Sequence, residues 1–177
     1  MPATDATPSI RFVRTPRGYA LETQRWIDRP LPDVFAFFAD AHNLQRITPP
    51  WLGFSILTPA PIAMHPGALI DYRIRLWGVP MRWRTEISVW EPGVRFVDRQ
   101  VAGPYTLWEH EHRFVAREGG TWCTARVEYA HRGGPVGEAL FVRPNLRRIF
   151  AYRWAAMERA VGKDRALFGS SAVVSGA

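Results

Sequence analysis

Hydrophobic and polar residues change rhythm several times along this chain, and each change marks an element. In YALETQRWID, residues 19 to 28, Tyr19, Leu21, Thr23, Arg25 and Ile27 fall on alternate positions, the period of a strand. The next segment, RPLPDVFAFFADAHNLQRITPPWL, switches to helical spacing: Val34, Phe35 and Phe38 share a face, and Leu44 and Ile47 follow beyond Asp40. Pro32 sits where a first turn accepts proline and Pro49-Pro50 ends the run, so the pattern predicts two short helices hinged near residues 39–42.

Downstream the period returns to two. Strands are predicted at 53–58, 68–77, 79–91, 94–101, 104–117 and 121–131, separated by Gly78, by EPG at 91–93, by AGP at 102–104 and by GG at 119–120. The last element, 134–162, is long and one-sided, with Leu146, Ile149, Phe150, Trp154, Met157 and Val161 at helical spacing and Pro144 placed to kink or restart it. No repeat or internal linker interrupts this order. One domain is expected at 18–164, between an N-terminal leader at 1–17 and a flexible tail at 165–177.

A strand, two short helices, six strands and a long terminal helix make an α+β plan. Its seven-stranded antiparallel sheet must curve and cover its apolar face with the last helix. Such an arrangement leaves a gap between the layers, mostly apolar with a few placed polar groups.

Register follows from giving the charged positions to water. Arg73, Arg75, Arg82, Arg84, Arg113 and Arg126 alternate beside Asp71, Glu86, Glu111 and Glu128, which predicts a solvated face with cross-strand ion pairs. The inward set is then Ile70, Tyr72, Ile74 and Leu76; Met81, Trp83, Thr85, Ile87 and Val89; Trp108, His110, His112 and Phe114; and Cys123, Ala125, Val127, Tyr129 and His131. In 94–101 two faces compete, and the reading favours Phe96, Asp98 and Gln100 inward.

Composition adds three constraints. At 177 residues, 47% hydrophobic and 22% charged, with eight tryptophans and ten phenylalanines, the chain suits one domain with a large aromatic core. The net charge of +7 is carried by arginine, Lys163 being the only lysine. Nucleic acid is not the expected partner, because Trp83, Trp108 and Phe114 fall on the face opposite the arginines and cannot interleave with them. Arg143, Arg147, Arg148 and Arg153 in VRPNLRRIFAYR leave room for transient contact with an anionic membrane surface, although an exposed helix flank is the simpler reading. Cys123 is alone, no apolar core of a signal peptide is present, and no run reaches the roughly 20 apolar residues of a membrane span. A cytoplasmic location is expected; nothing fixes an oligomeric state.

The stretch with the most chemistry is WEHEHRF, residues 108–114. On a strand it puts His110 and His112 on one face with Trp108 and Phe114. His-x-His can direct two imidazoles to one metal ion, but a site needs a third ligand, for which Asp98, His131 or a tyrosine are the candidates. The simpler expectation is a pair of pocket histidines bonded to tyrosine, aspartate or a ligand, with no metal and no cofactor. As a general base, His110 or His112 with Tyr72 or Tyr129 as partner would suit cyclisation or dehydration. Nothing resembles a G-x-S-x-G elbow or a phosphate loop.

Residues 19–162 resemble the START/SRPBCC superfamily of helix-grip proteins, particularly its bacterial single-domain ligand-binding branch. The resemblance rests on VFAFFADAHNLQRITPPWLGFSIL, on the run from GALIDYRIRL through TLWEHEHRF, and on RRIFAYR. It implies an internal apolar pocket and binding of a lipid, polyketide or isoprenoid; some relatives are cyclases or aromatases, others carriers. Within that resemblance an aspartate often stands where this chain has Ala125, and Arg153 matches the closing motif, where a structural hydrogen bond to the sheet or loops is expected. The sequence therefore predicts a carrier or sensor of a hydrophobic small molecule. Its ligand would be held by Tyr72, Ile74, Trp83, Thr85, Asp98, Trp108, His110, His112, Phe114, Tyr129, Leu140 and Ile149. A cyclase or dehydratase with His110 or His112 as base is the alternative, and a protein–protein module with a filled core a second.

Overall fold

The alternating segments pair in sequence order. In the computed structural model, which describes residues 9–163, β4 (Leu69–Leu76), β5 (Val79–Glu91), β6 (Arg95–Ala102), β7 (Leu107–Arg117) and β8 (Gly120–Ala130) form an antiparallel meander. The sheet continues from β8 to β2 (Gly18–Ile27) and β1 (Ser9–Thr15), while β3 (Ser55–Ile56) closes the other edge. Its order is β1-β2-β8-β7-β6-β5-β4-β3, and every pair is antiparallel.

This is the expected α+β plan with eight strands in place of seven. The additional strand, β1, lies inside the segment read as a leader: Ile10 and Phe12 pack on the core while Arg11 bonds Glu22 on the outer side at 2.8 Å. Gly18 permits the tight return into β2, having a φ of +144° and standing so close to β8 that a Cβ there would lie 2.5 Å from the Tyr129 carbonyl oxygen. The strand expected at 53–58 is reduced to β3's two residues. The tail at 165–177 lies outside the described residues.

Between β2 and β3 lie α1 (Leu31–Ala39) and α2 (Ala41–Ile47), separated by Asp40, as the hydrophobic spacing predicts. Asp40 is in an extended conformation and accepts a hydrogen bond from the His42 backbone N–H at 2.9 Å, which caps α2. Val34, Phe35 and Phe37 are the buried face of α1. After β8 the chain enters α3 (Gly134–Gly137), a π-helical turn at Glu138–Val142, and α4 (Arg143–Lys163). Pro144 stands in the first turn of α4, where a missing N–H costs little, so the α-helix restarts there.

Leu146, Ile149, Phe150, Trp154 and Met157 bury one stripe of α4 against the concave face of the sheet. The opposite face of the sheet carries cross-strand ion pairs, among them Arg84–Asp71 at 2.7 Å, Arg99–Glu86 at 2.8 Å and the Arg126–Glu22 pair. Exposed as they are, each contributes at most about 1 kcal/mol; their main effect is on register, because a one-residue slip would bury them.

One register detail redirects side chains. Ile87 faces Asp98 and Val89 faces Val97, so Ser88 is an extra residue bulged out of β5. The bulge reverses parity beyond it, and Trp90, not the expected Val89, joins the inner face against Phe35 and Phe96.

Candidate functional site

Between the concave face of the sheet and helices α1, α2 and α4 lies a cavity of about 170 Å³. Its wall is largely aromatic and aliphatic, with Phe37, Phe38, Leu52, Phe54, Leu146, Phe150 and Met157 facing the inward strand residues. Tyr72, Ile74, Trp83, Thr85, Asp98, Trp108, His110, His112, Phe114 and Ile149, all expected at the site, line this cavity. They meet there because β4, β5, β6, β7 and α4 each present one inward face to the same space.

Two expected residues do not line it. Leu140 is 64% exposed, because the π turn changes the phase of the helix and buries Glu138 and Val142 instead. Tyr129 is fully buried, but its hydroxyl donates to Glu138 Oε1 at 2.8 Å. The same carboxylate receives Arg143 Nε at 3.1 Å and faces His131 Nε2 at 3.1 Å. His131, one candidate for a third metal ligand, is thereby committed to Glu138.

The polar part of the wall is built from neighbouring strands of the sheet and one helix. Asp98 on β6 lies directly opposite His110 on β7, and Phe96 lies opposite His112. Asp98 Oδ2 is 3.5 Å from both His110 Nδ1 and His112 Nε2, and the two imidazole centroids are 3.8 Å apart. Phe96 stacks on His112 at 4.3 Å, and Phe150 meets His110 edge-on. On β8, Ala125 stands opposite His112, so a methyl group occupies the position where the family resemblance leads one to look for a carboxylate. These contacts fix both rings, and Asp98, His110 and His112 bring one ligand atom each to within 4.8 Å of the others.

Burial sets the protonation of His110 and Tyr72. His110 is 4% exposed; desolvation, reinforced by the charges of His112 and Arg153, holds its pKa well below the ordinary 6.5 and the ring neutral. Its Nε2 is buried without a hydrogen-bond partner. Tyr72 is held protonated well above its usual range, first by burial and then by the Asp98 charge, although its hydroxyl shares a 2.5 Å hydrogen bond with Thr85 Oγ1. Trp83 Nε1 donates to the same Thr85 oxygen at 3.1 Å.

Arg153 is the residue whose role sequence reasoning missed. Instead of a structural hydrogen bond to the sheet or loops, it projects from α4 into the cavity wall, its Nε buried and unpartnered and its guanidinium 5.4 Å from the centre of the Phe150 ring. Desolvation lowers its pKa, opposed by Asp98 and Tyr72. The helical period carries a signal for this placement, since Arg153 falls next to Trp154 and one turn from Phe150 on the buried stripe. Two other arginines of that helix lie over aromatic rings, Arg148 over Trp51 at 4.1 Å and Arg147 over Phe12 at 5.2 Å.

A curved antiparallel sheet wrapped on one long helix around an apolar cavity defines a helix-grip protein, the fold of the START/SRPBCC superfamily. Residues 27–158 match the model of the Polyketide cyclase / dehydrase and lipid transport family, and the chain belongs to that family. No curated protein matches the sequence. Among solved structures it is similar to Ms6760 from Mycobacterium smegmatis, with 14% identity over 87% of this chain and 98% of that one and a TM-score of 0.65. It is also similar to CV1439 from Chromobacterium violaceum, with 16% identity, coverage of 85% and 100%, and a TM-score of 0.63. A protein from Arthrobacter aurescens gives 11% identity, coverage of 86% and 91%, and a TM-score of 0.65. At these identities the likeness carries the fold and not the ligand. No helix among the described residues is long and apolar enough to cross a membrane.

Proposed function

We propose that this protein is a carrier or sensor that holds a hydrophobic small molecule, of the lipid, polyketide or isoprenoid kind, between its sheet and α4. The observation that carries the reading is a largely apolar cavity wall into which a few neighbouring polar groups, Asp98, His110, His112, Tyr72 and Arg153, are set. An amphipathic molecule fits such a wall: its apolar body against Ile74, Trp83, Trp108, Phe114 and Ile149, its oxygenated end toward the histidines and Arg153. A core filled by its own aromatics fits poorly with a cavity of about 170 Å³.

Native mass spectrometry of gently purified protein, followed by denaturation and analysis of what is released, tests this. An organic adduct displaced by Trp83→Ala or Ile149→Trp supports the reading. A bare mass, together with no tryptophan fluorescence response to a panel of fatty acids, isoprenols and aromatic polyketides, would refute it.

A second reading has one observation in its favour: Asp98 faces Nδ1 of a neutral His110 whose Nε2 has no partner, the arrangement of a base oriented by a carboxylate. Incubating the released compound with wild type and His110→Gln, followed by mass spectrometry, separates the two. Conversion by wild type alone supports a cyclase or dehydratase, and recovery unchanged from both supports the carrier.

A further inference from the structure

Several carboxylates of this fold are closely partnered. Asp71, Glu86 and Glu91 each receive a guanidinium at 2.7 to 2.8 Å, and Glu138 is surrounded by Tyr129, His131 and Arg143. Asp98 differs. It approaches two imidazoles, each at 3.5 Å, which is beyond the about 2.7–2.9 Å of a charge-assisted hydrogen bond. One carboxylate oxygen thus stands equally far from His110 Nδ1 and His112 Nε2, too far to bond either strongly.

That spacing has another use. Two ligand atoms bound tetrahedrally to zinc at about 2.0–2.1 Å lie roughly 3.4 Å apart, close to both nitrogen–oxygen distances here. The three ligand atoms lie no more than 4.8 Å from one another, so a point about 2.4 Å from all of them exists, and small side-chain rotations shorten it to bonding distance. We propose that Asp98 Oδ2, His110 Nδ1 and His112 Nε2 bind one first-row divalent transition-metal ion, with its remaining coordination positions open to the cavity.

The strand geometry supplies what His-x-His alone lacks. Alternation puts both imidazoles on one face, and the β6–β7 register sets the third ligand directly opposite His110, a placement that no sequence adjacency announces. Two imidazoles and one carboxylate suit zinc or iron(II) better than magnesium or calcium, which favour all-oxygen sets. Phe96 against His112 and Phe150 against His110 hold the rings where they are, as a site on rigid strands requires.

Arg153 is the charge that opposes a cation here, and its placement limits the effect. Among the described residues it forms no ion pair with Asp98, so the carboxylate stays available. Its unpartnered Nε suits an anionic or carbonyl oxygen of whatever fills the cavity beside the ion. The ion site goes beyond the small-molecule reading and stands without it.

The test is equilibrium dialysis of untagged, chelator-stripped full-length protein against zinc, with metal measured by plasma mass spectrometry, and a parallel cobalt(II) titration read by visible absorption. One zinc per chain is expected at micromolar free metal, with the intense cobalt bands of low coordination number. Asp98→Asn and His112→Gln, which preserve shape, are expected to weaken binding by about 100-fold or more while far-UV circular dichroism stays native. Failure of wild type to retain zinc at micromolar concentration overturns the proposal. So does retention unchanged in both variants, which would put the ion at another site such as His131 and Glu138. If the variants do not fold, anomalous scattering from zinc-soaked wild-type crystals decides, a peak between β6 and β7 supporting the site and its absence there overturning it. Metal retention without an organic adduct would uphold the ion site while the small-molecule reading fails, and the reverse result would do the opposite.

Discussion

Replacing Glu138 by alanine should destabilise the fold more than any change on its outer face. The carboxylate is 1% exposed and is met by the Tyr129 hydroxyl, His131 Nε2 and Arg143 Nε at 2.8, 3.1 and 3.1 Å. Alanine removes the acceptor and leaves the Tyr129 hydroxyl stranded in a fully buried position, at a cost of about 1–3 kcal/mol, with a similar but smaller term for His131. The Arg143 side chain, 42% exposed, rehydrates and adds little. The sum is about 2–5 kcal/mol, a large part of a typical domain's 5–15 kcal/mol stability. For a chain of this length it corresponds to a fall in Tm of roughly 4–20 °C.

Urea unfolding followed by far-UV circular dichroism measures this directly. Glu138→Gln keeps an oxygen for Tyr129 and Arg143 and should cost only about 1–2 kcal/mol. The double-mutant cycle with Tyr129→Phe should show coupling of about 1–2 kcal/mol, since removing both partners leaves nothing stranded. A loss below about 1 kcal/mol for Glu138→Ala, or equal losses for alanine and glutamine, would refute the view that this network anchors the π turn to β8.

Two further outcomes follow from burial. His110, with its folded pKa below the unfolded value, refuses a proton that the unfolded chain accepts. Metal-free protein should therefore lose stability as pH falls below about 6.5, by up to roughly 1.4 kcal/mol per pH unit. His110→Gln should flatten that slope between pH 7.5 and 5.5 in urea titrations, and an unchanged slope would place the titrating group elsewhere. Cys123 is 2% exposed and burial pushes its thiol up to about 12, so a thiol reagent should label native protein on the order of 10²-fold more slowly than denatured protein. Comparable rates would mean that β8 opens readily.

The meander, the two helices broken at Asp40 and the long closing helix are all legible in the hydrophobic period, because each buries one face against one layer. What the period does not carry are the irregularities. The Ser88 bulge is one residue without any compositional mark, yet it exchanges Val89 for Trp90 on the inner face. The π turn shifts phase just before Pro144, so Leu140, at the right spacing for a straight helix, turns to solvent and Glu138 turns in. A glutamate in an exposed-looking Gly/Pro segment reads as surface until Tyr129 and His131 are seen to reach it. β1 is hidden in a different way: an edge strand with three apolar residues resembles a leader until it has β2 to pair with.

The polar cluster shows the same division between what a strand records locally and what only pairing supplies. Alternation within β7 is enough to face His110 and His112 the same way. Their distance from Asp98 depends on the β6–β7 register, which AGP and the flanking charges set jointly, and Arg153 enters from a helix some forty residues later in the chain. Residues on one strand thus declare their chemistry in the sequence, whereas Asp98 comes from the paired strand β6 and the opposing charge of Arg153 from the helical layer. A cavity between a sheet and a helix draws its polar wall from both, so its chemistry is legible in sequence only in part: Asp98 could be named as one of several partners for the imidazoles, but its selection over His131 and the placement of Arg153 needed the pairing of strands and helix.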